Sequence, residues 1–425
     1  MFVEEQLQSM VNSLSDGRFA KGIRTLLFLS CAVAIYALYA AAQFRGLHDA
    51  TAMEQAQIGR RLAEGRGFTT ACVRPFDLWL LTRGETRELA MDRIPDIHHA
   101  PLYPWLLSVG FRIAGHEAPP SSVFAPERRV MIPIGIACMI AAGGLVFMIA
   151  RRLFDDRIAR IATVAFWVSR PALDGALSGT ALAPASLLVA ATVGTALMAA
   201  HRRATGRPAW QWGLPLAASG ALCGLAFLCD YTLAALLPVM VILLWTTGTR
   251  GRWSTCGLFV LATLLVATPW LARNQRITGH PLGGAVYHAV ESSALHPDDS
   301  LDRTMAPALH ATTTAHAVKQ KLITRFSDLL ATGPRSRGGG LLVAFFLASL
   351  FIPFERDTAN RLRWATVAGL LIAATLGALG RTGGAPMLGA FLPLIVIYAT
   401  ALLFALLDRW EYMDPATHQT ASWLF

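Results

Sequence analysis

Charged residues and lysine are scarce in this sequence of 425 residues. Charged residues make up 15% of the chain and hydrophobic residues 54%, whereas soluble globular proteins have a charged fraction of about 25%. The mean hydropathy is +0.46. The composition therefore excludes the soluble globular class and predicts an integral membrane protein.

Paired cysteines are also missing. The six cysteines stand at positions 31, 72, 138, 223, 229 and 256, without a CxxC pair, and most lie within or at the end of apolar runs. This pattern indicates neither a disulfide framework nor a zinc site.

The net charge of +10 comes almost entirely from arginine, because only three residues are lysines. A basic protein could bind nucleic acid, but here the basic residues cluster at the ends of apolar runs, where orientation in a membrane explains them. We therefore expect membrane lipid and no nucleic acid as a partner.

The apolar runs predict an all-α polytopic membrane protein with about ten transmembrane helices. The first run, 22–42, is longer than the apolar core of a secretory signal, about 7–15 residues, so we interpret it as an uncleaved anchor. The other nine lie near 130–150, 159–173, 181–200, 210–228, 233–247, 254–271, 339–354, 365–380 and 387–407.

Arginine in the short connections predicts the orientation. Twelve arginines lie in the connections 151–160, 201–208, 248–253 and 355–364, and two lie in 170–180, 229–232 and 381–386. By the positive-inside rule, both termini should be cytoplasmic, in a bacterial-type inner membrane, with Asp49 on the periplasmic or extracellular side.

These assignments divide the chain into five segments. We expect a cytoplasmic N-terminal segment 1–21, a membrane core 22–271 with an outer loop 43–129, an outer segment 272–338, C-terminal transmembrane helices 339–407 and a cytoplasmic tail 408–425.

Asp49 follows the first predicted crossing closely enough to lie at the interface, where it can ionise. The next residues predict a short amphipathic helix, because Thr51 and Glu54 fit a capping box and Gly65 is placed to end it. Asp49 could simply solvate or cap this helix, but with Thr51 as the cap it is available for chemistry. Small residues line one helical face and should allow close packing: Ala52, Ala56, Gly59 and Ala63.

A second short helix, interfacial or re-entrant, is predicted between His98 and Gly115, started by proline, stopped by glycine and too short to span the membrane. Its histidines should lie on the same side as Asp49. Asp230 interrupts two apolar runs at a predicted outer turn, so we expect it to be solvated.

The outer segment opens after Pro269, which should end its helix and place Arg273 and Arg276 at the depth of the lipid headgroups. Four histidines follow without the i, i+4 spacing of helical metal ligands: His288, His296, His310 and His316. They predict a solvated loop, with a divalent-cation site as the alternative.

Three motifs resemble the C-type glycosyltransferase superfamily, which uses polyprenyl-phosphate sugars, in the style of protein O-mannosyltransferases and aminoarabinose transferases. The first is the acid Asp49 followed by the helix motif from Ala56 to Phe68. The second is His99–Pro104, followed by Arg-Arg-Val at 128–130. The third runs from Pro269 to Pro281 in the form Pro-Trp-x-x-Arg-Asn…Thr-Gly-x-Pro.

The resemblance implies a membrane glycosyltransferase that moves a sugar, with inversion, from a polyprenyl-phosphate donor to a hydroxyl of a glycan, lipid or protein acceptor. Asp49 matches the catalytic acid of the first outer loop, and as general base it would take the acceptor's proton as an oxocarbenium-like state forms. Asp174 is matched loosely to a second outer acid.

Cations at headgroup depth would steady the leaving phosphate, a role that we assign to Arg273, Arg276 and Arg129. The alternative for each arginine is snorkelling or contact with lipid headgroups. His99 would bind the donor phosphate or cap its helix, and Asp174 would tether an acceptor or a metal, or cap its loop. Glu54 completes the expected substrate-binding set. No cofactor is implied beyond a possible divalent cation.

Two rival functions stay open. A transporter or lipid flippase would place ionisable residues at mid-membrane depth, whereas here they gather in outer loops and at helix ends. A non-catalytic partner subunit is the other rival, because related enzymes often carry a Thr-Glu pair where this chain has Thr180-Ala181.

Overall fold

The computed structural model describes residues 18–82, 90–115, 127–247, 251–298, 300–305, 307, 311–332, 339–380 and 385–413. Within these ranges the chain is helical and has no strand, only the isolated bridges Thr69–Pro95 and Glu291–His296. Parts of the predicted terminal segments, together with His310, lie outside the described residues. The predicted all-α membrane fold is confirmed.

The chain forms two units, 1–45 and 46–425. The first unit contains one described helix, α1 (Arg18–Gln43). The second contains α2 (Ala50–Ala63), α3 (Pro75–Thr82), α4 (Leu102–Ala114), α5 (Ile132–Leu153), α6 (Asp156–Val168), α7 (Arg170–Leu177), α8 (Leu182–Ala204), α9 (Ala209–Cys229), α10 (Leu236–Thr247), α11 (Arg252–Thr278), α12 (Ala311–Thr332), α13 (Gly340–Ser349), α14 (Asp357–Leu379), α15 (Ala385–Leu388) and α16 (Leu392–Met413).

Short turns of other helix types join several of these elements. A π-turn, Glu127–Met131, leads into α5, and 3₁₀ turns occupy Tyr231–Ala235, Gly283–Ala289 and Gly389–Phe391.

Every one of the ten predicted crossings coincides with a helix, but they differ in length. Seven described helices are long and apolar enough to cross a membrane. The crossings predicted at 159–173, 233–247 and 339–354 correspond to shorter helices, since Ser169 separates α6 from α7 and a 3₁₀ turn precedes α10. The count of ten stays a prediction.

Small residues hold the membrane bundle together. In the second unit α5 packs against α6 and α8, α9 packs against α8 and α11, and α10 packs against α11 and α14. The close approaches use glycine: a Cβ on Gly224 of α9 would lie 2.8 Å from the Thr263 carbonyl oxygen of α11. Thr263 also donates to the Gly220 carbonyl at 2.9 Å.

The predicted small face of α2 is buried at three of its four residues, and the fourth, Ala63, is half-buried. Ala52, Ala56 and Gly59 are buried, and a Cβ on Gly59 would lie 2.9 Å from the Leu107 Cβ of α4. Helix α4 begins after Pro101 and ends at Gly115, which has φ +75°, so the predicted start at proline and stop at glycine are both correct.

A neighbouring pair of glycines in α5 tests this packing. A Cβ on Gly143 would overlap the indole of the buried Trp167 in α6, whereas a Cβ on Gly144 meets nothing within 4 Å. We expect Gly143→Ala to destabilise the protein by about 1–3 kcal/mol through overpacking. Gly144→Ala should leave stability equal or slightly higher, because alanine favours the helix. Thermal unfolding in detergent checks this, and equal melting temperatures for the two variants would contradict the packing.

Candidate active site

Asp49 is the residue that caps α2. Its backbone is extended, and its Oδ1 accepts a hydrogen bond from the Thr51 backbone N–H at 2.8 Å. The prediction that Thr51 is the cap was therefore wrong by two residues: the helix begins at Ala50, and the cap is the aspartate itself. Capping fixes the carboxylate at the mouth of the helix.

Asp49 lines a cavity of about 380 Å³. The walls come from the start of α2, the loop before α4, the junction of α9 with the next turn, the 3₁₀ turn Gly283–Ala289 and the end of α14. The ionisable residues and the tyrosine of the lining are Asp49, Glu54, His98, His99, Asp230, Tyr231 and His288. Among the described lining residues, none is lysine or arginine.

The loop before α4 is organised by one buried acid. Asp96 accepts hydrogen bonds from the backbone N–H groups of His98 (3.2 Å) and His99 (2.9 Å), and from His99 Nδ1 (3.1 Å). The other ring nitrogen of His99 lies 3.2 Å from Glu54. The His99 ring is therefore held between two carboxylates, one on each side.

This arrangement shifts three pKa values. Burial alone would lower the pKa of His99, but Asp96 and Glu54 raise it to about 10. Burial alone would raise the pKa of Glu54, but His99 and Arg74 lower it to about 2. The same histidine overcomes burial and holds the pKa of Asp96 well below its usual range. At neutral pH the site contains an imidazolium between two carboxylates.

Arg74 continues the charge network. Its guanidinium is buried and ion-pairs with Glu54, with Asp302 at 3.1 Å and with Asp77 at 3.8 Å. Asp77 in turn lies 2.6 Å from His98 Nε2. The network thus joins α2, α3, the loop before α4 and the outer segment.

Asp230 corrects another expectation. We predicted a solvated turn acid, but Asp230 is half-buried, lines the cavity and accepts from the Thr232 N–H (2.8 Å) and hydroxyl (2.5 Å). Burial raises its pKa, against the opposing effect of Thr232. Asp230 is therefore a third acid of the cavity, beside Asp49 and Glu54.

The prediction that Pro269 ends its helix was wrong, because α11 continues through Pro269 to Thr278. Arg273 therefore lies on this helix, behind the cavity lining. Its guanidinium stacks on Trp270 at 4.4 Å and on Phe68 at 5.4 Å, and donates to the Asp96 carbonyl at 3.0 Å. Trp270 donates to the hydroxyl of Tyr231 at 2.8 Å. In this arrangement Arg273 supports the loop that carries the two histidines.

The structure brings together three of the predicted site residues, Asp49, Glu54 and His99. The other predicted contacts, Arg129, Arg276 and Asp174, do not line the cavity: both arginines are exposed, and Asp174 pairs with Arg170 at 3.4 Å. Their roles stay predictions.

Sequence reasoning also missed several residues of the site: Arg74, Asp77, His98, Asp230 and His288. His288 was expected in a solvated loop, but it is half-buried against the cavity. The adjacent pair His98-His99 was the one signal in the sequence. Among the described residues, no group of three or more His, Cys, Asp or Glu side chains could hold a metal ion.

Comparisons with known proteins agree with this architecture. Residues 98–272 match the family model for dolichyl-phosphate-mannose-protein mannosyltransferase. ArnT from Cupriavidus metallidurans, solved with undecaprenyl phosphate, has a TM-score of 0.57 at 15% identity over 89% of this chain and 60% of that one. No curated protein matches the sequence.

The archaeal oligosaccharyltransferase AglB from Archaeoglobus fulgidus, solved with an inhibitory peptide and a dolichol-phosphate, has a TM-score of 0.54 at 13% identity over 93% of this chain and 52% of that one. An Archaeoglobus fulgidus oligosaccharyltransferase solved with Zn and sulfate has a TM-score of 0.52 at 15% identity over 90% of this chain and 50% of that one. The chain spans only about half to three fifths of the length of these structures.

The chain therefore shares its fold with ArnT and AglB, and the resemblance to C-type glycosyltransferases inferred from the three sequence motifs is confirmed. The chain is an integral membrane protein of this architecture.

His99 predicts a pH-dependent stability. His99→Gln removes the cation between Asp96 and Glu54, so we expect the free energy of unfolding to fall by about 3 kcal/mol at pH 6. The pKa of His99 is about 10 in the folded protein and about 6.5 when unfolded. The stability that His99 contributes is therefore complete below its unfolded pKa of about 6.5 and is lost as the pH rises through its folded pKa of about 10.

Thermal unfolding of wild type and His99→Gln at several pH values between about 6 and 10.5 measures this difference. The difference in stability between wild type and His99→Gln should become smaller toward alkaline pH. His48→Gln, at an exposed histidine, is the control and should show no such difference. A difference that is constant with pH would contradict the charged state of His99.

Proposed function

We propose that this protein transfers a sugar from a polyprenyl-phosphate donor to an acceptor hydroxyl, with Asp49 as the general base. The observation that carries the proposal is a capped carboxylate on the wall of a cavity within a C-type glycosyltransferase fold. The neighbours with this fold were solved with undecaprenyl phosphate or dolichol-phosphate, which supports a lipid-linked donor.

The chemistry fits the position of Asp49. Sugar transfer passes through an oxocarbenium-like state, and the attacking hydroxyl must lose its proton as the new bond forms. The cap uses Oδ1 of Asp49, and the carboxylate has a second oxygen that can accept this proton. The lining residues Tyr231, Asp230 and His99 would then orient the sugar and the acceptor.

The direction of the helices supports an active site on the outer face. Helices α9 and α14 contribute their C-terminal ends to the cavity. The N-terminal end of α9 follows the arginine-rich connection 201–208, and that of α14 lies within the arginine-rich range 355–364. By the positive-inside rule the arginine-rich end is cytoplasmic. We therefore propose an inner-membrane enzyme with cytoplasmic termini and a periplasmic or extracellular cavity.

The outer segment 272–338 contains the 3₁₀ turn of the cavity wall. In this proposal the segment separates two membrane parts, 22–271 and 339–407. Arg129, Arg276 and Asp174 lie outside the lining, where they would contact the lipid phosphate or an approaching acceptor. A glycan, a lipid or a protein would each supply a suitable hydroxyl.

The donor can be identified directly. We expect protein purified in native lipid to carry a polyprenyl-phosphate sugar, detected by mass spectrometry after extraction of the lipids. Recovery of the lipid would name the sugar and show whether it is a hexose or a pentose. Repeated purification without any polyprenyl phosphate would count against the lipid-linked donor.

Asp49→Asn separates the catalytic role from the capping role. Asparagine caps helices as well as aspartate does, so folding should be preserved, while transfer should fall by about 10²–10⁴-fold because the base is lost. The measurement is transfer of labelled sugar from the identified donor to envelope extracts.

Asp155→Asn is the matched control. Asp155 caps α6 through a 2.8 Å bond from the Ile158 N–H and does not line the cavity, so transfer should be unchanged. If Asp49→Asn retained full activity, Asp49 would not be the base. If wild type showed no transfer and Asp49→Asn still had the wild-type cellular phenotype, the chain would act as a partner subunit.

A further inference from the structure

Three side chains stand in a row at the cavity wall: Asp77, His98 and His288. Asp77 Oδ1 lies 2.6 Å from His98 Nε2, and His98 Nδ1 lies 3.0 Å from His288 Nε2. Asp77 and His98 are almost fully buried, and both histidines line the cavity. The row therefore leads from a buried carboxylate to the cavity.

The donors and acceptors of these three side chains restrict where their protons lie. An ionised carboxylate only accepts, so His98 Nε2 must carry a hydrogen. The contact between His98 Nδ1 and His288 Nε2 then needs one shared hydrogen, since two lone pairs or two N–H groups would repel each other. In the doubly protonated form of His98, Nδ1 donates to His288 Nε2, and His288 carries its own hydrogen on the other ring nitrogen.

The fold holds these rings by apolar packing. Phe76, Ile97 and Tyr287 belong to one buried cluster that joins α3, the loop before α4 and the 3₁₀ turn Gly283–Ala289. Gly284 donates its N–H to the Ile97 carbonyl at 2.8 Å, and a Cβ at Gly284 would meet the His98 ring at 2.6 Å. Glycine is therefore required where the two histidines meet.

Other charged groups surround the row. Arg74 lies 3.8 Å from Asp77, and Asp96 accepts from the His98 backbone N–H. Lys321 of α12 donates to the His288 carbonyl at 2.5 Å. His99, with its own pair of acids, stands beside His98 in the chain.

The cavity itself indicates what the row could serve. Among the described lining residues the only groups able to carry a positive charge are histidines. His99 already lies between two carboxylates. A phosphate that develops charge inside this cavity would therefore meet His288 and the proton held behind it.

Accepting the sugar transfer of the preceding section, we propose that Asp77, His98 and His288 form a proton relay to the phosphate of the departing lipid. As the bond between the anomeric carbon and the phosphate oxygen breaks, its electron pair stays on that oxygen, and the acceptor oxygen bonds to the carbon. The acceptor proton goes to Asp49. His98 passes its Nδ1 proton to His288 and keeps its hydrogen toward Asp77, so that His288 becomes the cation that donates a hydrogen bond to the phosphate dianion. When the lipid leaves, His288 returns this proton to His98, and release of one proton by Asp49 restores the site.

The test follows the protonation of the phosphate directly, without an assay of transfer. Undecaprenyl phosphate is added to the full chain in liposomes, and its ³¹P resonance is recorded by magic-angle-spinning NMR as the pH is changed. The second ionisation of a phosphate monoester occurs near pH 6. A cation within hydrogen-bond reach should move its midpoint to lower pH by about one unit relative to protein-free liposomes.

Two variants test the row while keeping its shape. His288→Gln should abolish most of this shift of the phosphate midpoint. Asp77→Asn should reduce the shift, because the charge on His98 loses its partner. His280→Gln is the control: His280 lies 3.1 Å from the Tyr287 hydroxyl in the same segment and does not line the cavity. Gly284→Ala, which would push the His98 ring, should also reduce the shift. Gel filtration and thermal unfolding verify that each variant is folded.

The outcomes separate the two proposals. If the ³¹P resonance of bound undecaprenyl phosphate titrated with the same midpoint in wild type and in folded His288→Gln, the relay would be overturned. The proposed transfer would be left intact. The absence of any bound undecaprenyl phosphate in wild type would overturn the polyprenyl-phosphate donor, and the relay with it.

Discussion

The site depends on one constraint: the ionised groups buried around the cavity must neutralise one another. Removing a charge from water costs several kcal/mol per ion unless partners and hydrogen bonds replace the water. Glu54, Asp77 and Asp96 satisfy this requirement through Arg74, His98 and His99. Glu54 of α2 pairs with His99, and Asp77 of α3 pairs with His98. These ion pairs tie α2 and α3 to the loop before α4.

This constraint also explains why histidine faces the cavity. Arg74 and Arg273 lie behind the wall, where their planar heads are occupied by carboxylates, carbonyls and aromatic rings. A guanidinium keeps its proton at any physiological pH, whereas an imidazole can donate a proton and recover it. The arginines, which are permanent cations, therefore support the wall from behind. The histidines, whose protons can exchange, lie at the surface that a substrate would contact.

The sequence was informative wherever a local pattern determines the structure. The apolar runs located the seven helices that are long and apolar enough to cross a membrane, but they missed the 22-residue helix α12 in the outer segment. The small face of α2 showed its packing side, and Pro101 and Gly115 marked the ends of α4. The predicted orientation placed Asp49, Glu54 and His99 in one outer loop, 43–129, on the same side of the membrane, and the family resemblance assigned all three to the site. The capping residue was misplaced, since Asp49 and Thr51 are both good caps and only the backbone distinguishes them.

The remaining residues of the site could not be found from local patterns. His288 is 190 positions from His98 along the chain, and no periodicity connects an outer loop to a helix start so far away. Asp230 looked like a turn acid because its neighbours form a turn, and its place in the cavity depends on how α9 and α14 end. Such contacts come from tertiary packing, which a single sequence does not encode in any local spacing.

Lys321 shows how the outer segment becomes part of the membrane site. This lysine is buried, and its ammonium donates to three carbonyls: His288 at 2.5 Å, and Leu379 and Gly380 at 3.3 Å each. Burial lowers its pKa to about 8, and Glu291 opposes the shift, so the ammonium form still predominates at neutral pH. One side chain of α12 thus ties the 3₁₀ turn to the end of α14, two walls of the same cavity. The position of His288 is therefore set from behind by its own carbonyl as well as from the side by its ring, and the outer segment acts as a structural wall of the site.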